Sequence, residues 1–431
     1  MSAPVMEVIL STDCSSPLVN CSVLDLLSGA SLLSYRGGST SSRGLTLLDQ
    51  RHLLGAQLGR NFINVWDVQR KDQMQQKILC PGVVTCLASS PNGLYLAAGI
   101  AESLYLWEVS TGCLLAVLSR HYQDISCVQF TDDSSHFITG AKDNLALVWR
   151  LASVIQLDQG PSPDPLHVLS RHSLPITDLH CGLMGPQARV ASASLDQTVK
   201  LWEVCSGELL LSILFDVGIM SVTLDPCEYF LFCGGSDGNI FQVSLCSQSL
   251  NRDQTFQSDS DGNQVFKGHR NLVSCLSVSM DGTLLLSGSH DETLRLWDIQ
   301  SKQSIRCFTQ KGHVTNCAIM VAPANMLAPL GSAAAAAPLP RFQRHLASSQ
   351  HAEGQDSGEV CLRLGLYTQE EETTYLQKTE KLFSLMTSVT DKTVSGGGEE
   401  MRVAELEDEV RTLKKINKDL YHFSSHLLTK P

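Results

Sequence analysis

Five tryptophans constrain this 431-residue chain more than any other feature, because all five stand in one local context. They read Val65-Trp66-Asp67-Val68, Leu106-Trp107-Glu108-Val109, Val148-Trp149-Arg150-Leu151, Leu201-Trp202-Glu203-Val204 and Leu296-Trp297-Asp298-Ile299. Their separations are 41, 42, 53 and 95 residues, and the last spans two periods. A degenerate copy fills it, Gly235 to Val243, with Val243 at the tryptophan position. An upstream copy, Ser22-Val-Leu-Asp-Leu26, puts Leu24 there, 42 residues before Trp66. Seven units result. A unit of this size cannot bury its apolar face alone, so the units must pack on one another.

A period in the low forties with this signature resembles that of WD repeats, each supplying four strands of a β-propeller. The expected fold class is therefore all-β, a seven-bladed propeller over 1–321. Three units carry further residues at matching offsets: His121/Thr139/Asp143/Trp149, His172/Ser192/Asp196/Trp202 and His269/Ser287/Asp291/Trp297. In WD propellers such tetrads form buried hydrogen-bond networks, with Asp orienting His and the hydroxyl linking His to the indole. These residue types also make catalytic triads. Three repeated copies with a fixed tryptophan argue for a structural device, so no catalytic residue, cofactor or metal ligand is expected. Gly234-Gly-Ser-Asp-Gly238 matches a nucleophile-elbow pattern formally, but it sits at a turn between two strands.

The first unit is short. Met6 to Ser11 reads as a second strand, with no room for a first. After the seventh unit, Gly312 to Val321 reads as a spare first strand, and pairing the two would close the ring and remove two open edges. Two spacings are stretched by insertions, Gln159-Gly-Pro-Ser-Pro-Asp-Pro165 and the polar run Leu250 to Gly262, read as tolerated surface loops in preference to contact sites.

Charge and cysteine usage limit the remaining classes. Acidic residues outnumber basic ones, 44 to 32, leaving −12, so coating a nucleic-acid duplex is not the expected main activity. The fifteen cysteines include no C-x-x-C pair, and Cys86, Cys127, Cys275 and Cys317 fall in apolar runs, as small hydrophobes in a reducing compartment do. Cys317 to Pro340 carries no charge, but Pro323, Pro329, Pro338 and Pro340 make it a poor membrane span. The N-terminus lacks the basic and apolar regions of a signal peptide.

Past the propeller, 322–368 reads as an irregular Pro/Ala/Ser-rich linker, with one further strand near Glu359-Val-Cys-Leu. Residues 369–394 read as a helix, and Gly396 to Gly398 break the chain. A second helix over 399–428 carries a heptad: Val403, Leu406, Val410, Leu413, Asn417 and Leu420, continued by Ser424 and Leu427. Asn417 at an inner position favours a two-stranded coiled coil, since only a matching Asn satisfies it. This predicts a homodimer; packing against the chain's own propeller is the alternative. His422 and His426 lack a third ligand for a metal.

The runs Asn92-Gly-Leu-Tyr-Leu through Leu106-Trp-Glu-Val-Ser-Thr-Gly112, Ser194-Leu-Asp-Gln-Thr-Val-Lys-Leu-Trp-Glu-Val204 and Glu405-Leu-Glu-Asp-Glu-Val-Arg411 with Lys415-Ile-Asn-Lys-Asp-Leu420 resemble the WD repeat-containing protein 18 family along the whole chain. That resemblance implies a scaffold subunit in the nucleus, in nucleolus and nucleoplasm, maturing the precursor of the large ribosomal subunit. Its implied partners are a proline-, glutamate- and leucine-rich coregulator, a HEAT-like helical protein, a SUMO protease and the AAA ATPase midasin. A rival class is the substrate receptor of a ubiquitin ligase. Those receptors commonly carry Trp-Asp-x-Arg, whereas Trp66-Asp-Val-Gln69 and Trp297-Asp-Ile-Gln300 lack the arginine.

Overall fold

A computed structural model describes residues 6–15, 19–69, 74–155, 163–246, 252–257, 264–323, 326 and 338–346. The expected helices over 369–394 and 399–428, the strand near Glu359, and His422 and His426 lie outside the described residues.

Alternating apolar residues bounded by Gly, Asp and Asn turns give each unit four antiparallel strands, lettered a to d. Blade 2 comprises Thr40–Leu48, His52–Gln57, Phe62–Asp67 and Met74–Leu79. Blade 3 comprises Val84–Ser89, Tyr95–Ile100, Ser103–Glu108 and Leu114–Leu118. Blade 4 comprises Ile125–Phe130, His136–Ala141, Ala146–Arg150 and His167–Leu169. Blade 5 comprises Ile176–Cys181, Arg189–Ser194, Thr198–Glu203 and Leu209–Leu214. Blade 6 comprises Ile219–Leu224, Phe230–Gly235, Ile240–Ser244 and Gln264–Phe266. Blade 7 comprises Val273–Val278, Leu284–Ser289, Thr293–Asp298 and Ser304–Thr309.

Blade 1 is assembled from both ends of the propeller. Strand a is Val314–Val321, and it pairs antiparallel with strand b, Glu7–Asp13, from Glu7↔Val321 to Asp13↔Val314. Strands c and d are Val19–Asp25 and Ser31–Arg36. The ring therefore closes as the sequence suggested, and the uncharged stretch beginning at Cys317 starts inside this strand. Among the described residues, no helix is long and apolar enough to cross a membrane. Leu24 does occupy the tryptophan position of blade 1: a register shift falls between Val23 and Leu24, just as it does before Trp66, Trp107, Trp202 and Trp297.

The strands a of successive blades touch one another in an unbroken ring of seven. Side chains stitch every seam of that ring. Thr85, Ser126, Thr177 and Ser274, each second in its strand a, donate to the carbonyls of Ile125, Ile176, Ile219 and Val314 of the next blade, all at 2.7 Å. In blade 6 Met220 takes that place, and Ser221 donates to Val273 O at 3.0 Å instead. Asn316 Nδ2 to Ser41 O and Ser89 Oγ to Leu47 O, both 2.8 Å, complete the circle. The apolar core lies between blades: Ile9, Leu286, Leu294 and Val314 join blades 7 and 1, while Val8, Leu10, Leu53 and Trp66 join blades 1 and 2.

One insertion is not a plain surface loop. Asp253–Thr255 adds a fifth strand, parallel to strand d of blade 5, and Phe256 stacks on Phe215 and meets Phe241 edge-on, both at 5.2 Å between ring centres. The polarity of the surrounding residues concealed this anchor. Blade 6 has Val243 where five other blades bury an indole, and these phenyl rings pack in the same cluster as Val243.

Candidate interaction site

The three tetrads are assembled by the loop entering a blade and the turn between its strands b and c. In blade 4, His121 Nδ1 lies 2.9 Å from Asp143, His121 Nε2 lies 2.8 Å from Thr139 Oγ1, and Trp149 Nε1 donates to that oxygen at 3.1 Å. Blade 5 repeats this with His172, Asp196 (3.0 Å), Ser192 (2.8 Å) and Trp202 (2.9 Å). Blade 7 repeats it with His269, Asp291 (3.1 Å), Ser287 (2.7 Å) and Trp297 (2.8 Å). A carboxylate only accepts and an indole only donates, so the indole N–H goes to the hydroxyl and Nδ1–H to the carboxylate, with the hydroxyl also bonded to Nε2. Every polar group of the three sets has a partner. Burial pushes the His269 pKa down, against the pull of Asp291.

The aspartates also fasten the loop itself. Asp143, Asp196 and Asp291 accept the N–H of Tyr122, Ser173 and Arg270, each the residue after the histidine. Burial alone would raise these carboxyls, but the hydrogen bonds outweigh it. Asp143 and Asp196 are lowered, and Asp291, held chiefly by Thr293 and Arg270 N–H, falls to about 2. Thr139, Ser192 and Ser287 are fully buried and shared between imidazole and indole. The sets therefore hold turns in place.

The incomplete blades solve the same problem with main chain. Ten residues before Trp66 and Trp107 stand Ala56 and Ala97, which offer no acceptor. Trp66 Nε1 donates instead to Arg36 O, and Trp107 Nε1 to Gln343 O, both at 2.7 Å. The second partner comes from residues 338–346, which return to blade 3 after the propeller is complete. Gln343 N donates to Gly112 O, its side chain accepts from Leu114 N, and Phe342 lies 6.0 Å from the Trp107 ring. Part of the stretch expected to be an irregular linker thus acts as a strap.

Across the centre of the ring runs an ion pair that sequence reading did not find. Strand a of blade 2 loses register between Thr40 and Leu45, and Arg43, at φ 53°, leaves it toward the axis. Its Nε lies 2.7 Å from Asp178 of blade 5, and its Nη2 donates to Met220 O of blade 6 at 2.8 Å. Asp178 accepts Val222 N as well. Burial opposes the charge on Arg43, but Asp178 outweighs it and holds the guanidinium protonated. No short-range pattern marks this pair, because its members are 135 residues apart.

The buried thiols pack where strand b has glycine. A Cβ on Gly140 or Gly288 would stand 2.8 or 2.7 Å from Cys127 or Cys275 Sγ, so the glycines admit the sulfurs. Burial lifts Cys86 to about 11 and Cys127 to about 12, keeping them as thiols. Among the described residues no cluster of three or more His, Cys, Asp or Glu could hold a metal ion.

Seven four-stranded blades, a shared closing blade and indole-anchored tetrads define a WD-repeat β-propeller. The profile "WD domain, G-beta repeat" matches residues 112–150, 163–203 and 262–298, and the profile "WDR18 C-terminal helix" matches 386–431. The chain is 70% identical to WD repeat-containing protein 18 of Danio rerio and 58% identical to that of Homo sapiens, over 433 residues and the full length of each. The Pre-rRNA-processing protein pro-1 of Caenorhabditis elegans is 30% identical over 298 residues, 67% of this chain and 56% of the relative. The chain belongs to the WD repeat-containing protein 18 family.

Proposed function

We propose that this chain is a non-enzymatic scaffold subunit in pre-rRNA processing and maturation of the large ribosomal subunit, acting in the nucleus. The observation that carries the reading is the likeness over the aligned region to a relative named for pre-rRNA processing, within a family matched from end to end. The physical support is that the His, Asp and hydroxyl groups gathered here are occupied in fastening turns, while the ring presents wide surfaces on which several partners can sit at once. In this reading the partners are a proline-, glutamate- and leucine-rich coregulator, a HEAT-like helical protein, a SUMO protease and midasin, met on the precursor of the large subunit. The helix over 399–428 pairs two chains through Val403, Leu406, Val410, Leu413, Asn417 and Leu420, doubling the number of docking faces.

Depletion of the chain, followed by rescue with the full-length protein, tests the reading. Large-subunit precursor rRNA should accumulate on depletion and clear on rescue, and tagged protein should recover precursor particles. Unchanged precursor levels, with cullin adaptors recovered in their place, would move the assignment to a ubiquitin-ligase receptor.

A further inference from the structure

The face bearing the turns between strands a and b is built from touching neighbours. Gly185 N of blade 5 donates to Asp132 of blade 4 at 2.6 Å. A Cβ on Gly182 of blade 5 would strike the Glu228 carboxylate of blade 6, and one on Gly282 of blade 7 would stand 2.7 Å from Asp225 of blade 6. Met280 N of blade 7 donates to Glu7 of blade 1 at 2.9 Å. The turns of blades 4 to 7 thus form one continuous arc.

Four large apolar side chains project from that arc: Leu183 at 58% exposure, Met184 at 67%, Tyr229 at 56% and Met280 at 67%. Single exposed apolar residues are ordinary, but four on three successive touching turns form a patch of the kind that marks interaction sites. Carboxylates predominate around them, with Arg189 the cation beside Glu228. Asp132, Asp133, Asp281 and Glu7 are held by hydroxyl or main-chain donors, while Asp225 and Glu228 are largely buried, Glu228 3.6 Å from Arg189. Burial lifts the Asp225 carboxyl above its usual range, with only main-chain N–H groups opposing it. On the opposite face the exposed Tyr122 and Leu195 stand among charges of both signs, such as the Lys142–Asp124 pair at 2.8 Å.

We infer that this arc is a docking surface for a lysine- or arginine-rich amphipathic segment of a partner protein, its apolar side seated on Leu183, Met184, Tyr229 and Met280 and its cations facing the surrounding carboxylates. Charge complementarity selects this occupant, since an acidic peptide or an RNA strand would meet charge of its own sign. The inference rests on the scaffold reading, which requires partners, and names one face and one chemistry for it.

The test uses the full chain and a fluorescein-labelled Lys/Leu amphipathic helical peptide, with a Glu/Leu counterpart and a single-stranded RNA oligonucleotide, read by fluorescence anisotropy. The Lys/Leu peptide should bind, more weakly as salt rises. The triple variant Leu183→Ser, Met184→Ser, Met280→Ser should weaken it by about tenfold or more, at an unchanged unfolding midpoint, as loss of central apolar anchors does. The pair Tyr122→Ser, Leu195→Ser on the other face should leave it unaltered. Equal binding by the triple variant, or binding of the Glu/Leu peptide or the RNA as tight as that of the Lys/Leu peptide, overturns the inference. If the arc fails but tagged chain still recovers precursor rRNA, only the surface is wrong. If the peptide binds at the arc and no precursor rRNA is recovered, only the scaffold reading is wrong.

Discussion

Replacing Ser192 by alanine isolates the energetics of a tetrad. Ser192 is fully buried, and Trp202 is 3% exposed. The change removes the acceptor of the indole N–H at 2.9 Å and the partner of His172 Nε2 at 2.8 Å, in a place water does not reach. Each orphaned buried group costs about 1–3 kcal/mol, so Ser192→Ala should cost about 2–4 kcal/mol. The natural Ala56 and Ala97 cost nothing comparable, because Trp66 and Trp107 donate to main-chain carbonyls. Equilibrium denaturation of the full chain gives the cost directly. A double-mutant cycle with Trp202→Phe then removes the stranded donor, and Ser192→Ala should become cheaper by about 1–2 kcal/mol, the share owed to the indole. A cost below about 0.5 kcal/mol, within the range of ordinary surface substitutions, or an identical cost in both backgrounds would refute the hydrogen-bond account.

Acid should act through the same sets. The Asp291 carboxyl is depressed from 3.8 to about 2, so its contribution is complete above the unfolded value and is lost as pH falls through that window. His269, whose pKa burial lowers, adds a loss in the same direction when the unfolded chain takes up its proton below about 6.5. Asp291→Asn should therefore flatten the acid side of a stability–pH profile, and a profile parallel to wild type would contradict this. Under native conditions iodoacetamide should label the exposed Cys205, Cys227, Cys246 and Cys307 and spare Cys86 and Cys127, as peptide mass mapping would read out. Light scattering should give a dimer for the full chain and a monomer for residues 1–398. Two monomers would remove the proposed pairing of the C-terminal helix.

Much of the architecture was legible because it repeats. The tryptophan spacing gave the number of blades, the fixed offsets gave the tetrads, and the spare segment at Val314 found its partner near Glu7 because a closed ring admits no leftover strand. Leu24 and Val243 were readable as tryptophan positions through the period alone. Other features depend on single contacts between distant segments, which leave no periodic trace. Arg43 reaches Asp178 only once blades 2 and 5 face each other. Gln343 serves Trp107 across 236 residues, and its part in the contact uses a main-chain carbonyl, which any residue could offer. The hydroxyl seam was legible in part, since Thr85, Ser126, Thr177 and Ser274 share one position in strand a, whereas the seams closed by Asn316, Ser89 and Ser221 use other positions. The exposed arc at Leu183, Met184, Tyr229 and Met280 required knowing which turns lie side by side.

The closed ring is best tested by native-state hydrogen exchange on the intact chain. The amides of Glu7–Asp13 and Val314–Val321 should be protected together, to the same opening free energy as the strands of blade 4, since one ladder joins them. Rapid exchange of either segment, independent of the other, would mean that the ring is open and that blade 1 is not shared between the two ends of the propeller.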